Sequence, residues 1–270
     1  MFKRIADLFI FSSVFIALCA VLMVNQTHQL FNLQYQSVKY LWFVFFSSLA
    51  SYNFHWYLTP YYIGEIERTA WSRHHKELHF TLMLIGLGGA VYHILYFSHH
   101  WIALGAAGIL TFLYSAPKIP HPLFSHLKKI AIGKTIYLAF VWLYVTTILP
   151  LIFTKTKITG YELSFCFSRF FLIYAICIIF DYRDRENDRM EGLRSVITYF
   201  NEKQINAVFY TSLLLYLGST IYLGYHELSP VTVAVLLIPF PILLYIYPRS
   251  KNNFSDYLYY FVLDGLMALS

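Results

Sequence analysis

Long apolar segments recur along almost the whole chain, and they constrain its fold more than any other feature. Nine windows are apolar over about the 17–25 residues that a helix needs to cross a bilayer. In lipid every backbone N–H and C=O group needs a partner within the protein, so such windows predict helices. The predicted spans cover about residues 7–24, 37–59, 79–97, 99–115, 135–154, 163–181, 205–225, 229–247 and 254–270.

The composition agrees with this interpretation. Hydrophobic residues make up 58% of the 270 positions and charged residues only 13%, unlike a soluble globular protein. Almost no sequence is left between the windows for a soluble domain. The sequence therefore predicts an all-α integral membrane protein with nine transmembrane helices, forming a single polytopic membrane domain over residues 1–270.

Basic residues are divided unequally between the predicted loops. If the N-terminus with Lys3 and Arg4 is cytoplasmic, sixteen of the 20 lysines and arginines fall in inner segments, and only Lys155 and Lys157 fall outside. The positive-inside rule then predicts a multi-pass protein of the plasma (inner) membrane with its N-terminus in the cytoplasm and its C-terminus outside. The net charge of +6 follows from this topology, and it gives no reason to expect a nucleic-acid partner.

The densest charge in the chain lies in "FDYRDRENDRMEGLRS", residues 180–195, directly after an apolar run. Asp181, Asp184 and Asp188 are spaced i, i+3, i+7, so on a helix they fall within an arc of about 60°. Such a row is either a solvated face with ion pairs along it or a cation site. Mg²⁺ prefers oxygen ligands and often shares its shell with substrate phosphates, so a diphosphate held through Mg²⁺ fits this row.

A second inner segment, "YSAPKIPHPLFSHLKKIAIGK", follows the fourth window. Its Tyr114 and Lys118 are spaced i, i+4 and share a face if the helix persists, although the prolines at 117, 120 and 122 predict that the helix ends near there. Basic side chains neutralise phosphate charge, and an apolar cavity between helices suits an isoprenoid tail. The basic candidates are Lys118, Lys128, Lys129 and Arg194.

These segments resemble two motifs of the UbiA superfamily of intramembrane prenyltransferases, which are nine-helix bundles. The second aspartate motif of that family, D-x-x-x-D followed by a glycine and a basic-Ser/Thr pair, is matched by Asp184 and Asp188, then Gly192, Arg194 and Ser195. Its extended form also includes Asp181. The Y-x-x-x-K motif of the family is matched by Tyr114 and Lys118.

The first motif of the family, N-x-x-x-D-x-x-x-D, is incomplete in this chain. Asn53 is in place, but the two aspartate positions hold Tyr57 and Tyr61. Arg68 and Thr69 are similar to a basic-Thr pair that often follows the motif. Glu65 and Glu67 lie nearby, and one of them is an alternative source of the missing carboxylate.

The resemblance implies transfer of an isoprenyl group from a prenyl diphosphate to a hydrophobic or aromatic acceptor within the membrane, with Mg²⁺ as cofactor and membrane lipids as further partners. Two other interpretations stay open: a catalytically inactive relative that binds isoprenoid diphosphate or lipid, and a membrane transporter. The implied catalytic residues are Asp184, Asp188, Lys118 and Tyr114; the diphosphate-binding residues are Asn53, Arg68, Lys128, Lys129 and Arg194; and the metal ligands are Asp181, Asp184 and Asp188.

Five other polar positions have simpler interpretations. His55 is expected to be a packed, hydrogen-bonded histidine, with a phosphate or metal ligand as the alternative. His74, His75 and His79 offer the i, i+4 spacing of metal ligands but lie on a polar inner loop, where a solvated face is favoured. Arg169 lies near the outer end of its predicted span, where its guanidinium can extend toward the membrane surface.

Overall fold

The structure is a computed structural model that describes residues 2–59, 67–119, 121, 124, 134–154, 158–190, 196–226, 228–252 and 255–270, with the backbone alone at 2, 186–190, 196 and 226. Every regular element in these ranges is helical. The α-helices are α1 Phe2–Phe11, α2 Val14–Leu30, α3 Ser37–Tyr57, α4 Glu67–His74, α5 Lys76–Ile94, α6 Trp101–Ser115, α7 Lys134–Leu143, α8 Leu149–Phe153, α9 Gly160–Met190, α10 Val196–Tyr199, α11 Glu202–His226, α12 Pro230–Leu237, α13 Pro239–Ser250 and α14 Asp264–Met267. Four short helical turns complete the set: 3₁₀ turns at Leu95–His100 and Ala116–Lys118, and π-helical turns at Tyr144–Ile148 and Leu258–Leu263.

The all-helical class predicted from the apolar windows is confirmed, but the number of spans is not. Within the described ranges, five helices are long and apolar enough to cross a membrane. A sixth is added if α1 and α2, which meet at a bend of 59°, are counted as one span. The five are Lys76–Lys118, Lys134–Phe153, Gly160–Arg185, Glu202–Tyr225 and Pro230–Ser250.

Four of the nine predicted windows account for the difference between nine spans and six. The windows 79–97 and 99–115 lie in one helical run, whose backbone departs from helical geometry at Phe97 (φ −121°, ψ 23°). Window 37–59 forms α3, but its serines, Asn53 and His55 lower its mean hydropathy, and α3 is not among the five. Window 254–270 yields a shorter apolar helix, Leu258–Met267.

The chain divides into two compact units. The first comprises Met1–Ser125, Val145–Thr154 and Asp256–Ala268, and the second comprises His126–Tyr144, Lys155–Ser255 and Leu269–Ser270. The single membrane domain over residues 1–270 stays a prediction.

In the first unit, the turn before α8 is stabilised by side chains of other helices. Pro150 has no N–H group, so the helix cannot provide a donor from this position to the carbonyls one turn earlier. Tyr40 Oη donates to the carbonyl of Val145 over 2.7 Å, and Thr27 Oγ1 donates to the carbonyl of Thr146 over 2.8 Å. These two bonds tie α2 and α3 to the segment that Pro150 interrupts.

In the second unit, α9 is the central helix. Leu172, Ile173, Ile176 and Ile179 are all buried. With 31 residues, α9 is about 46 Å long, whereas the hydrocarbon core of a bilayer is about 30 Å thick. A helix of this length can carry the row at residues 181–188 out of the apolar region without a break in its backbone.

Arg169 on α9 corrects one expectation from the sequence. Its side chain is fully buried, and Nη2 donates to the carbonyl oxygen of Ser270 over 2.7 Å. The guanidinium therefore does not extend to the surface, because a backbone acceptor within the unit binds it.

Candidate functional site

The best-defined polar cluster of the first unit surrounds the ammonium group of Lys118. Nζ of Lys118 lies 2.7 Å from Nε2 of His55 and donates to Oγ1 of Thr59 over 2.6 Å. α6 ends at Ser115, and a 3₁₀ turn with Pro117 as its central residue continues to Lys118. This turn places Lys118 beside the C-terminal end of α3, where the sequence resemblance puts the incomplete first motif.

The contacts of His55 determine which of its ring nitrogens carries hydrogen. An ammonium can only donate, so Nε2 of His55 accepts from Lys118 and holds a lone pair. Nδ1 lies 3.2 Å from Oγ of Ser115 and carries the hydrogen of the neutral ring. His55 is therefore the hydrogen-bonded histidine that the sequence favours, and the ring is uncharged in this arrangement.

Tyr114 and Thr59 also contact His55, Tyr114 at the imidazole ring and Thr59 at the backbone carbonyl. The ring of Tyr114 stacks on the His55 ring, with centroids 5.2 Å apart and planes 19° from parallel. Oγ1 of Thr59 donates to the carbonyl of His55 over 2.8 Å while it accepts from Lys118. The two residues of the Y-x-x-x-K motif thus reach the same histidine, Tyr114 through its ring and Lys118 through its ammonium.

A second cation, the guanidinium of Arg68, also contacts the ring of Trp56. The guanidinium carbon of Arg68 is 4.2 Å from the centroid of the Trp56 ring and 4.0 Å from that of Tyr260, and Lys118 Nζ is 5.7 Å from the same Trp56 ring. Arg68 is only 2% exposed, and its Nη2 donates to Oγ of Ser13 over 3.4 Å. The structure therefore places Arg68, a predicted diphosphate ligand, between two aromatic rings.

Asn53, the other predicted diphosphate ligand of this region, is fully buried. Its Nδ2 donates to the carbonyls of Ser12 and Leu49 over 3.0 and 2.8 Å. Its Oδ1 accepts from Nδ1 of His79 over 2.6 Å, since the amide hydrogens are already used. No amide hydrogen of Asn53 is left for a phosphate oxygen in this arrangement.

The histidines of α4 and α5 separate into two environments. His74 and His75 are exposed, and each contacts a backbone carbonyl one turn earlier. His79 is fully buried against Asn53, so the expectation of a solvated face is wrong for His79. Hydropathy along the loop could not reveal the partner, because Asn53 is 26 positions away.

The residues near the missing carboxylates have other contacts. Tyr57 is 37% exposed, and its ring lies 5.6 Å from that of Phe80. Glu67, one alternative source of a displaced carboxylate, forms an ion pair with Lys3 at 2.5 Å. Tyr61 and Glu65 lie outside the described residues.

The carboxylate row belongs to the second unit. Residues 181, 184 and 188 all lie within α9, so the helical backbone that the spacing assumes is present. Asp181 is buried and accepts a hydrogen bond from Oγ1 of Thr135. Asp184 has 36% of its side chain exposed and forms an ion pair with Nε of Arg183 at 2.9 Å.

A separate network joins α9, α11 and α13 through Glu202. Its carboxylate accepts hydrogen bonds from Lys251 and from Tyr182 Oη, the latter over 3.1 Å. Arg185 Nη1 lies 3.9 Å from the same carboxylate. Glu202 thus partly neutralises Lys251 and Arg185, which lies within the carboxylate row, a role that the sequence did not suggest.

Carboxylate oxygens suit Mg²⁺, and Asp184 is the described member of the row that solvent reaches. The burial of Asp181 and its bond to Thr135 favour a supporting position. Within the described ranges, no three His, Cys, Asp or Glu side chains form a group that could hold a metal ion. The side chain of Asp188 and the predicted phosphate ligands Lys128, Lys129 and Arg194 lie outside the described part of the chain.

Comparisons of the chain with protein-family models, with curated protein sequences and with solved structures find no match.

Proposed function

We propose that the chain is an integral membrane prenyltransferase of the UbiA type, which transfers an isoprenyl group from a prenyl diphosphate to an aromatic or lipid-like acceptor within the plasma (inner) membrane. The observation that supports this proposal best is the position of Lys118. The Y-x-x-x-K residues contact the end of α3 through His55, the region that carries the first motif in the resemblance.

The proposal gives each residue a separate part in the reaction. Lys118 binds the diphosphate and stabilises the negative charge that develops when the C–O bond breaks. Tyr114 fixes the imidazole to which Lys118 is bonded. Asp184 and Asp188, with Asp181 behind them, would hold Mg²⁺, which neutralises diphosphate charge when bound.

The nine-span arrangement is part of the proposal. Six crossings correspond to the apolar helices described above, when α1 and α2 count as one. The other three would be α3, a second crossing from a division of the Lys76–Lys118 run near Phe97, and the segment around Leu258–Met267. Under this topology the N-terminus is cytoplasmic and the C-terminus lies outside.

Binding without turnover is the second candidate, and Tyr57 favours it. A neutral phenol is a poor ligand for Mg²⁺ near neutral pH, because the pKa of an ordinary tyrosine is about 10. Metal held from one side neutralises the leaving group less than metal held from both sides. We therefore expect transfer to be slow if it occurs.

Turnover separates the two candidates. The full-length protein in nanodiscs is incubated with Mg²⁺, labelled prenyl diphosphates and extracted host lipids, and both diphosphate release and labelled lipid are measured. The proposal predicts labelled lipid with the wild type, and a loss of about 10²-fold or more with Lys118→Gln or Asp184→Asn, in the range found for electrostatic groups of this kind. Lys76→Gln is the matched control, because Lys76 is an exposed lysine of the first unit.

Diphosphate that binds in a Lys118-dependent way without any release would instead establish the inactive binder. Equal activity of Lys118→Gln and Lys76→Gln would show that Lys118 has no part in binding the diphosphate or in the transfer.

The orientation has its own test. Cys19, Cys166 and Cys177 are all buried, so an introduced cysteine is labelled against a low background. Asn187→Cys lies beside the carboxylate row and should react with an impermeant thiol reagent only from the cytoplasmic side. Labelling from the outside would overturn the topology.

A further inference from the structure

The hydrogen bond between Lys118 and His55 exists only while the imidazole is neutral. Nε2 of His55 accepts from the ammonium over 2.7 Å, and Nδ1–H faces Oγ of Ser115 over 3.2 Å. A protonated ring carries hydrogen on both nitrogens and has no lone pair for Lys118. Two donors would then face each other, and the ammonium would have to leave this position.

The groups around His55 strengthen this constraint. On the α6 side these are the ammonium of Lys118 and the stacked ring of Tyr114. On the α4 side, the Arg68 guanidinium lies 4.2 Å from the ring of Trp56, which itself packs edge-on to His55 at 5.9 Å. A charged imidazole would stand 2.7 Å from the ammonium of Lys118. Arg68 contacts the neighbouring ring of Trp56, and its backbone N–H donates to the carboxylate of Asp256 over 2.7 Å.

We propose that His55 is a positioning residue that holds Lys118 in place for an anion of the phosphate class, and that it does so only as the neutral imidazole. Thr59 is its partner in this role, because its hydroxyl accepts from Lys118 and donates to the carbonyl of His55. The inference rests on the proposed function in taking a phosphate group as the ligand of Lys118.

The consequence is a pH dependence of unusual sign. Acidification adds positive charge to any basic patch, so an ordinary patch binds an anion of constant charge at least as tightly at low pH. Here acid removes the acceptor that positions Lys118. Anion binding through Lys118 should therefore weaken as the pH falls through the interval of about 5–8 in which imidazoles titrate.

Acylation of lysine amines, read by mass spectrometry, tests the positioning role on the full-length protein in nanodiscs. The readout is the labelling of Lys118 relative to Lys76, an exposed lysine outside the cluster, at several values between about pH 5 and pH 8. We expect this ratio in the wild type to rise as the pH is lowered. The rise should be about tenfold, the factor that corresponds to the loss of one hydrogen bond to a charged group.

Two variants separate positioning from a general effect of pH. His55→Gln keeps an acceptor but does not titrate, so the labelling ratio should stay low at every pH. His55→Leu removes the acceptor, and the ratio should be high throughout. A flat ratio in the wild type, or a rise in His55→Gln equal to that of the wild type, would overturn the inference.

Protection of Lys118 by anions links the result to function. Inorganic sulfate keeps its charge over this pH interval, and it should protect Lys118 at the upper end and not at the lower end. Inorganic pyrophosphate at the upper end tests the proposed function separately. If the labelling ratio follows His55 but pyrophosphate gives no protection, the positioning role stands and the proposed diphosphate site fails. If pyrophosphate protects Lys118 equally in wild type and His55→Leu, the diphosphate site stands and the positioning role fails.

Discussion

Gly86 on α5 lies so close to α3 that a Cβ atom added to it would stand 2.7 Å from the backbone nitrogen of Ala50. The same atom would be 2.7 Å from the carbonyl oxygen of Phe46. Both neighbours are backbone atoms of a helix, so neither can turn aside as a flexible side chain does. The contact between α3 and α5, and with it the position of His55, depends on the missing side chain at residue 86.

Gly86→Ala should therefore destabilise the protein by about 1–3 kcal/mol, the usual cost of overpacking. Gly88→Ala is the matched control, because an added Cβ there meets nothing within 4 Å. On the same helix that change should be neutral or stabilising by up to about 1 kcal/mol. The midpoints of thermal unfolding of the two variants in detergent measure the difference. Equal midpoints would show that α3 and α5 can move apart to admit the methyl group without a loss of stability.

Asn53→Ala should destabilise the first unit without any ligand present. The substitution leaves Nδ1 of His79 and the carbonyl of Ser12 without their partner, and each buried group left unpaired costs about 1–3 kcal/mol. Asn252→Ala, at an exposed asparagine, serves as the control in the same unfolding experiment. Unchanged stability of Asn53→Ala, combined with weaker diphosphate binding, would restore the ligand role that the resemblance implies.

Arg68→Lys should also be destabilising, although the charge is conserved. The guanidinium contacts the rings of Trp56 and Tyr260, whose planes are 79° apart, and it can lie flat on one of them, whereas an ammonium lacks a planar face. The expected loss is about 1–2 kcal/mol for a desolvated cation–π contact. Denaturant titration compares it with Arg73→Lys, at an exposed arginine of the same helix; equal effects of the two changes would contradict the stacking argument.

Thr27 and Pro150 should be energetically coupled. Thr27→Val removes the donor to the carbonyl of Thr146 and should cost about 1–3 kcal/mol for an unpaired buried acceptor. Pro150→Ala restores an N–H group one turn after that carbonyl, so Thr27→Val should cost less in a Pro150→Ala background. A double-mutant cycle on the free energy of unfolding measures the coupling, expected at about 0.5–2 kcal/mol. Additive effects would mean that the proline and the hydroxyl act independently.

The helical class could be predicted from the sequence because it follows from apolar length alone. The number of spans could not, because hydropathy does not show where a helix bends or continues. The windows 79–97 and 99–115 are separated by Ser98, yet the helical run extends from Lys76 to Lys118.

Part of the geometry around Lys118 could be predicted from residue spacing, and part of it could not. The spacing of Tyr114 and Lys118 indicated that both side chains reach one place, and they do so at His55. That His55 and Thr59 would bind the ammonium depends on packing between segments about sixty positions apart, which no local pattern contains. The burial of Asn53 and Arg169 follows from packing as well, and the sequence alone left both at positions where contact with solvent or substrate was expected.

The unbroken length of α9 has a consequence for how the carboxylate row is aimed. No interruption separates the buried residues near Leu172 from residues 181–188, so the two segments share one helical phase. Each residue inserted into the helix before the row would rotate the row about the helix axis by about 100°. Four inserted residues would bring it back to within about 40° of its original direction. The direction in which the aspartates point is thus set by apolar side chains two to four turns away. The number of residues between Leu172 and the row therefore matters to the site as much as the aspartates do, although these apolar residues would not contact a metal ion or a phosphate.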